Sequence, residues 1–147
     1  MSLEIDVLTI FPELVRVPLS ESIMGRASDK GHVTTRVHDL REWTTDNHKK
    51  VDDEPYGGGP GMVMKPEPFF AAVNDLKKQN TTVVLMTPQG KKYNQKVAES
   101  YAESSSHLII LCGHYEGVDH RVVKYLVDEE ISIGDYVLTN GAIAAVV

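Results

Sequence analysis

The stretch His107 to Gly141, HLIILCGHYEGVDHRVVKYLVDEEISIGDYVLTNG, decides the fold. Leu108 to Cys112 form an unbroken apolar run that stops at Gly113 and gives way to Tyr115, Glu116, Gly117 and Asp119. A strand buried on both faces reads this way where its carboxyl end opens into a loop. After a short helical segment, Ile131 to Gly141 repeats the design, with Gly134 and Gly141 as breaks. Backbone groups freed from the ladder converge outside the carboxyl ends of parallel strands, so two such loops point to a ligand there.

Upstream, Thr82 to Met86 is a second fully apolar strand, closed by the turn Thr87-Pro88-Gln89-Gly90, and Asn94 caps a helix reaching about Glu103. Before it, Pro66 takes a first-turn helical position, and Phe69, Phe70, Val73 and Leu76 follow at core-facing spacing up to Lys77 and Lys78. At the amino end, Glu4 to Ile10 reads as a strand stopped by Phe11-Pro12. Ser20 to Lys30 reads as a helix with Ser20 as N-cap and Gly31 as its C′ residue, and Val33 to Leu40 reads as another strand. Alternation of strand and helix predicts an α/β domain: a parallel sheet covered by helices on both faces.

Between these elements lies REWTTDNHKKVDDEPYGGGPG, Arg41 to Gly61, which shows neither strand nor helix period. Four glycines and two prolines fall in its last seven residues. Trp43, Tyr56 and the glycine cluster are foreign to a solvated linker, so we read it as a structureless substrate loop. The three glycine-bearing loops at Thr87 to Gly90, Gly113 to Gly117 and Ile133 to Gly141 gather at one sheet edge. No G-x-G-x-x-G opens a helix and no G-x-x-x-x-G-K-[ST] is present, which disfavours a pyrophosphate cradle.

The 147 residues, 41% hydrophobic, suffice for one core. No apolar run approaches bilayer length and the start lacks a signal-peptide pattern, so the expectation is a cytoplasmic protein. Cys112, the single cysteine, sits inside an apolar strand and reads as a core residue. Net charge is −6, but the last third carries two basic against seven acidic residues. A polyanion surface therefore belongs to the first two thirds, where Arg26, Arg41, Lys49, Lys50 and Lys65 occur.

Four motifs, IDVLTIFPE at Ile5 to Glu13, HKKVDDEPYGGGPGM at His48 to Met62, CGHYEGVDHRV at Cys112 to Val123 and ISIGDYVLTNG at Ile131 to Gly141, give the whole chain a resemblance. It resembles the amino-terminal domain of the bacterial tRNA (guanine-N1)-methyltransferases, the TrmD family of the SPOUT superfamily. The resemblance implies a carboxyl-terminal trefoil knot whose threaded loops hold S-adenosylmethionine, so that residues 1–147 form a knotted cofactor-binding α/β domain. It further implies methyl transfer to N1 of the guanine 3′ of the anticodon, a tRNA partner, a homodimer, and a helical tRNA-binding domain beyond Val147. Two other readings stay open: an enzyme of the same superfamily acting at another RNA position, and a nucleotide-binding module without chemistry.

By the same resemblance the cofactor residues are Met86, Thr87, Pro88, Gly90, Cys112, Gly113, Tyr115, Glu116, Gly117, Ser132, Ile133, Gly134, Asp135, Tyr136, Val137, Leu138, Asn140 and Gly141. RNA contacts fall to Arg26, His48, Lys49, Asp52, Gly58 and Gly59. The family's aspartate base lies beyond Val147, leaving the catalytic residue of this chain unassigned with Glu116 as its candidate. Glu116 also has readings as a neighbour of the sulfonium, as a carboxylate positioning magnesium, and as a cap for the following helix. The family pattern differs at His114, where many members carry arginine, and after Gly141, where glycine, glutamate, leucine and proline usually follow. A zinc reading of Cys112, His114, Glu116 and His120 is rejected on spacing, so no metal site is assigned.

Overall fold

A computed structural model describes residues 2–55, 57–114 and 116–147. Its elements run β1 (Leu3–Thr9), α1 (Glu13–Leu19), α2 (Ser22–Asp29), β2 (Val33–Asp39), a 3-10 turn (Leu40–Trp43), β3 (Asp52–Asp53), β4 (Val63–Met64) and α3 (Pro66–Leu76). They continue with β5 (Thr81–Lys92), α4 (Gln95–Ser104), β6 (His107–Cys112), α5 (His120–Tyr125), β7 (Glu129–Ser132) and α6 (Ala142–Val146). Five strands form one sheet in the order β2-β1-β6-β5-β7, every neighbouring pair parallel.

The apolar strands are central because both their faces are covered. One face carries Leu8, Val83, Leu85, Ile109 and Leu111 against Phe69, Ala72 and Val73 of α3 and Val122 of α5. The other carries Val7 and Cys112 with Val15 of α1 and Ala142 of α6. Beside them, Val84, Met86, Leu108 and Ile131 pack on Val97 and Tyr101 of α4. Full burial of such a side chain contributes about 1.5 to 3 kcal/mol, so this two-sided core is the main source of stability.

Several local expectations meet their geometry. Asn94 accepts from the Val97 N–H at 3.0 Å, and Pro66 opens α3. Gly31, at φ +76°, closes α2: its N–H donates to the Ser28 carbonyl while that of His32 donates to Ala27, the paired bonds of a left-handed glycine cap. The N-cap of α2 is Glu21 rather than Ser20, whose hydroxyl instead donates to the Val17 carbonyl. That shift follows from α1, a helix the sequence pattern does not announce, since it is seven residues long and carries Pro18 inside.

The region 41–61 is not structureless. Leu40 to Trp43 form a 3-10 turn, and β3 pairs antiparallel with β4, Asp52 opposite Met64 and Asp53 opposite Val63. Val51 and Met64 are buried in the α3-side core, so the region is anchored at its middle and again just after its end. Tyr56 lies outside the described residues.

A buried charge cluster locks the register of the first strands. Asp6, 1% exposed, accepts from Arg36 Nε at 2.9 Å and Arg36 Nη2 at 3.0 Å. His38 Nε2 and His107 Nε2 lie 2.7 and 2.6 Å from its two oxygens, and Thr81 Oγ1 lies 2.6 Å from His107 Nδ1. Burial pushes the Asp6 carboxyl up, but the hydrogen bonds from Arg36, His38 and His107 together outweigh it and hold the group far below its ordinary value.

Candidate functional site

The bulged middle of β5 and the carboxyl ends of β6 and β7 surround a cavity of about 590 Å³, within the size range of small-molecule sites. Two walls come from the glycine-bearing loops after β6 and β7, and the third comes from within β5, where the turn expected at Thr87 to Gly90 is instead bulged strand running on to Lys92. In β5 the pairing to β7 slips between Met86 and Lys91, both opposite Ile131, and the excursion pushes Thr87, Pro88 and Gln89 into the lining. Gly113, His114, Glu116 and Gly117 line it from the loop after β6, and residues from Ile133 to Gly141 line it from the loop after β7. Leu85, Met86, Ile131, Ile133, Leu138 and Ala144 supply apolar surface, with Ser132, Asn140 and backbone groups as polar contacts.

Internal bonds hold these loops. The Ser132 hydroxyl donates to the Gly134 carbonyl at 2.9 Å, and the Asn140 side chain accepts from the Ala142 N–H at 2.8 Å. The loop after β7 crosses the end of β6, where the Gly141 N–H donates to the Gly113 carbonyl at 2.8 Å. A Cβ on Gly141 would stand 2.9 Å from Gly113 N and 3.0 Å from Cys112 Cα, so the crossing is possible only with glycine. His114 Nδ1 lies 3.0 Å from the Thr139 carbonyl oxygen, which only accepts, so Nδ1 carries the proton of this bond. The Phe11 and His114 rings pack edge to face at 5.1 Å between centroids, tying the end of β1 to the same rim.

Fourteen of the expected cofactor residues line the cavity: Met86, Thr87, Pro88, Gly113, Glu116, Gly117, Ser132, Ile133, Gly134, Tyr136, Val137, Leu138, Asn140 and Gly141. Tyr115 lies outside the described residues. Three stand away from the lining for separate reasons. Gly90 packs on the β7 backbone, where a Cβ would meet Glu130 and Ile131 at 2.5 Å. Cys112 points into the core at 2% exposure, and burial pushes its thiol up to about 12. Asp135 turns to solvent and pairs with Lys92 at 2.9 Å. Leu85, Gln89, His120, Val123 and Glu130 join the lining although they are not among the expected cofactor residues. A strand's register decides such membership, and a register slip is not visible in composition.

Glu116 does not cap α5. Asp119 does so, accepting from the Arg121 N–H at 2.9 Å. The Arg121 guanidinium, bound to Asp119 at 2.8 Å through both Nε and Nη2, holds that carboxyl below its ordinary value. Glu116 instead faces the glycine-rich loop, where a Cβ on Gly61 would meet its Cγ at 2.5 Å. Gly57, Gly58, Gly59 and Gly61 all have positive φ, between +82° and +120°, a backbone path that other residues resist.

The expected RNA residues are distributed unevenly. His48, Lys49, Gly58 and Gly59 are exposed along one loop and Asp52 is half-buried in β3, whereas Arg26 stands exposed on α2. Lys49 is held at φ +50° within a turn whose Asp46 side chain accepts from the Lys50 N–H at 3.0 Å. Among the described residues no group of three His, Cys, Asp or Glu side chains forms a metal-holding cluster.

The family described as tRNA (Guanine-1)-methyltransferase TrmD matches residues 3–147. Curated relatives named tRNA (guanine-N(1)-)-methyltransferase include those of Dictyoglomus turgidum, 55% identical over 99% of this chain, and Carboxydothermus hydrogenoformans, 51% identical over 99%. That of Chloroflexus aggregans is 52% identical over 97% of this chain. The chain spans 58%, 57% and 56% of the lengths of these three relatives.

Proposed function

The chain belongs to the tRNA (guanine-1)-methyltransferase TrmD family, and on that premise we propose that its cavity is the S-adenosylmethionine site of an enzyme methylating N1 of the guanine 3′ of the anticodon in tRNA. The observation that carries this reading is the joining of two glycine-bearing loops and the bulge of β5 around one cavity, with a further, glycine-rich loop against its rim at Glu116. S-adenosylmethionine supplies an electrophilic methyl group on a sulfonium. The residues present fit it: Ile133, Leu138 and Met86 give an apolar bed, and the crossing that only glycine permits at Gly141 lets backbone donors and acceptors approach a flat adenosine. Glu116 contributes a carboxylate at the rim, suited to favour a cationic centre.

Methylation of N1 also needs the N1–H proton removed by a positioned base. The resemblance assigns that base to an aspartate in the part of the relatives that this chain does not span, together with a helical tRNA-binding domain. The proposal extends to a trefoil knot, supported by the crossing of Gly141 over Cys112 and Gly113, and to a cytoplasmic setting. Among the described residues no helix is long and apolar enough to cross a membrane. It extends also to a homodimer, supported by an apolar groove of about 220 Å³ that Leu19, Met24, Tyr101 and Val146 help to line.

Calorimetry with S-adenosylmethionine and ATP tests the cofactor assignment, which tighter binding of ATP would remove. Mapping methylated nucleosides in bulk tRNA after treatment with a full-length relative carrying these residues tests the acceptor. Methylation at a base other than the one 3′ of the anticodon would favour the other superfamily activity.

A further inference from the structure

The glycine-rich loop and the cofactor loop are one hydrogen-bonded unit. The Glu116 N–H donates to the Met62 carbonyl at 3.0 Å, the Met64 N–H donates to the Gly117 carbonyl at 2.9 Å, and the Asp119 N–H donates to the Met64 carbonyl at 3.0 Å. Met64 and Val118 form a parallel bridge, so residues 62–64 act as a short strand added to residues 116–119. Above this ladder the Glu116 stem lies where any side chain at Gly61 would stand. Gly61 is outside the cavity lining, whereas Glu116 and Gly117 are inside it.

We propose that the Gly61–Glu116 contact, with the ladder beneath it, couples occupancy of the cavity to the placement of the glycine-rich loop, making Gly61 a positioning residue for the cavity wall at Glu116. The inference rests on the reading of the cavity as the cofactor site. A ligand that fixes the loop 113–117 also fixes the strand it is bonded to, and linkage requires the converse: disturbing Gly61 must weaken the ligand. A side chain at Gly61 would push Glu116, and with it one wall of the cavity. Gly57 provides the control, since its φ is +85° and a Cβ there meets nothing within 4 Å among the described residues, so Gly57→Ala brings the same backbone strain without the Glu116 contact.

The test measures S-adenosylmethionine affinity by calorimetry for the parent chain, Gly61→Ala, Gly57→Ala and Glu116→Ala, with amide hydrogen exchange of the parent with and without cofactor. Cofactor is expected to slow exchange at Met64 and Asp119, neither of which lines the cavity. Gly61→Ala is expected to weaken the cofactor by about fivefold or more, with Gly57→Ala unchanged. Adding Gly61→Ala to Glu116→Ala, where the colliding Cγ is gone, should cost less than Gly61→Ala alone. Cofactor binding with no protection at Met64 and Asp119, or equal losses from Gly61→Ala and Gly57→Ala, overturns the coupling and leaves the cofactor site standing. Absence of any binding in the folded parent chain overturns the cofactor reading, and the coupling with it.

Discussion

Gly141 and Gly134 look equivalent in sequence, but their surroundings separate them. A Cβ on Gly134 meets the ring of Tyr136 at 2.5 Å, and that ring is 55% exposed and free to swing away. A Cβ on Gly141 meets backbone. Gly141→Val should therefore abolish cofactor binding and cost about 1 to 3 kcal/mol of stability, while Gly134→Val should lower affinity only several-fold; calorimetry and urea unfolding check both. Cys112 is legible from sequence as a core residue, and its raised thiol predicts no labelling by a disulfide reagent at pH 8 until the chain is unfolded. Asp6 was not legible, because its three partners come from β2 and β6 and meet only in the sheet. Its folded value lies below the unfolded one, so its stabilisation is complete above the ordinary aspartate value near 4 and is lost as pH falls below it. Asp6→Asn should cost about 3 kcal/mol at pH 7. The gap to the parent protein in urea unfolding should narrow by about 1.4 kcal/mol for each pH unit below that value.

At the scale of elements, capping residues separate scaffold from site. Asn94 caps α4, and neither it nor any α4 residue lines the cavity, so Asn94→Ala should lower stability by about 1 kcal/mol and leave cofactor affinity unchanged. Asp119 caps α5 directly after the loop that carries Glu116 and Gly117, so Asp119→Ala should lower both quantities. Thermal unfolding and calorimetry on the two variants distinguish these outcomes. The helices α3 and α4 and the apolar strands were readable because period and caps are local. The helix α1, the 3-10 turn and the β3–β4 pair were not, since each is short and is held by packing onto the sheet rather than by its own pattern.

For the whole molecule, the cavity loops are present in this chain, while the relatives extend well beyond the length it covers. If, as proposed, the general base lies in the part of the relatives that this chain does not span, the 147-residue chain should bind S-adenosylmethionine without methylating tRNA, since loss of a general base alone removes about a hundredfold to ten-thousandfold of rate. Near-native methylation by this chain would place the base within it and make Glu116 the first candidate. Lys49→Ala should leave cofactor affinity intact and weaken tRNA association in a full-length enzyme, measured by salt-dependent binding. Sedimentation at high protein concentration should show a dimer, and a sharply monomeric mass would count against it.

The amino-acid sequence by itself determined the α/β class, the parallel sheet, the glycine-bearing ends of its last strands and the family, because apolar runs, caps and motifs are properties of contiguous residues. Only the tertiary structure decided which of those residues face the cavity. It turned Asp135 outward, moved the cap of α5 from Glu116 to Asp119, and laid Gly61 against Glu116. These choices depend on strand register and on the crossing of loops distant in the chain, and a one-residue change of register exchanges the two faces of a strand.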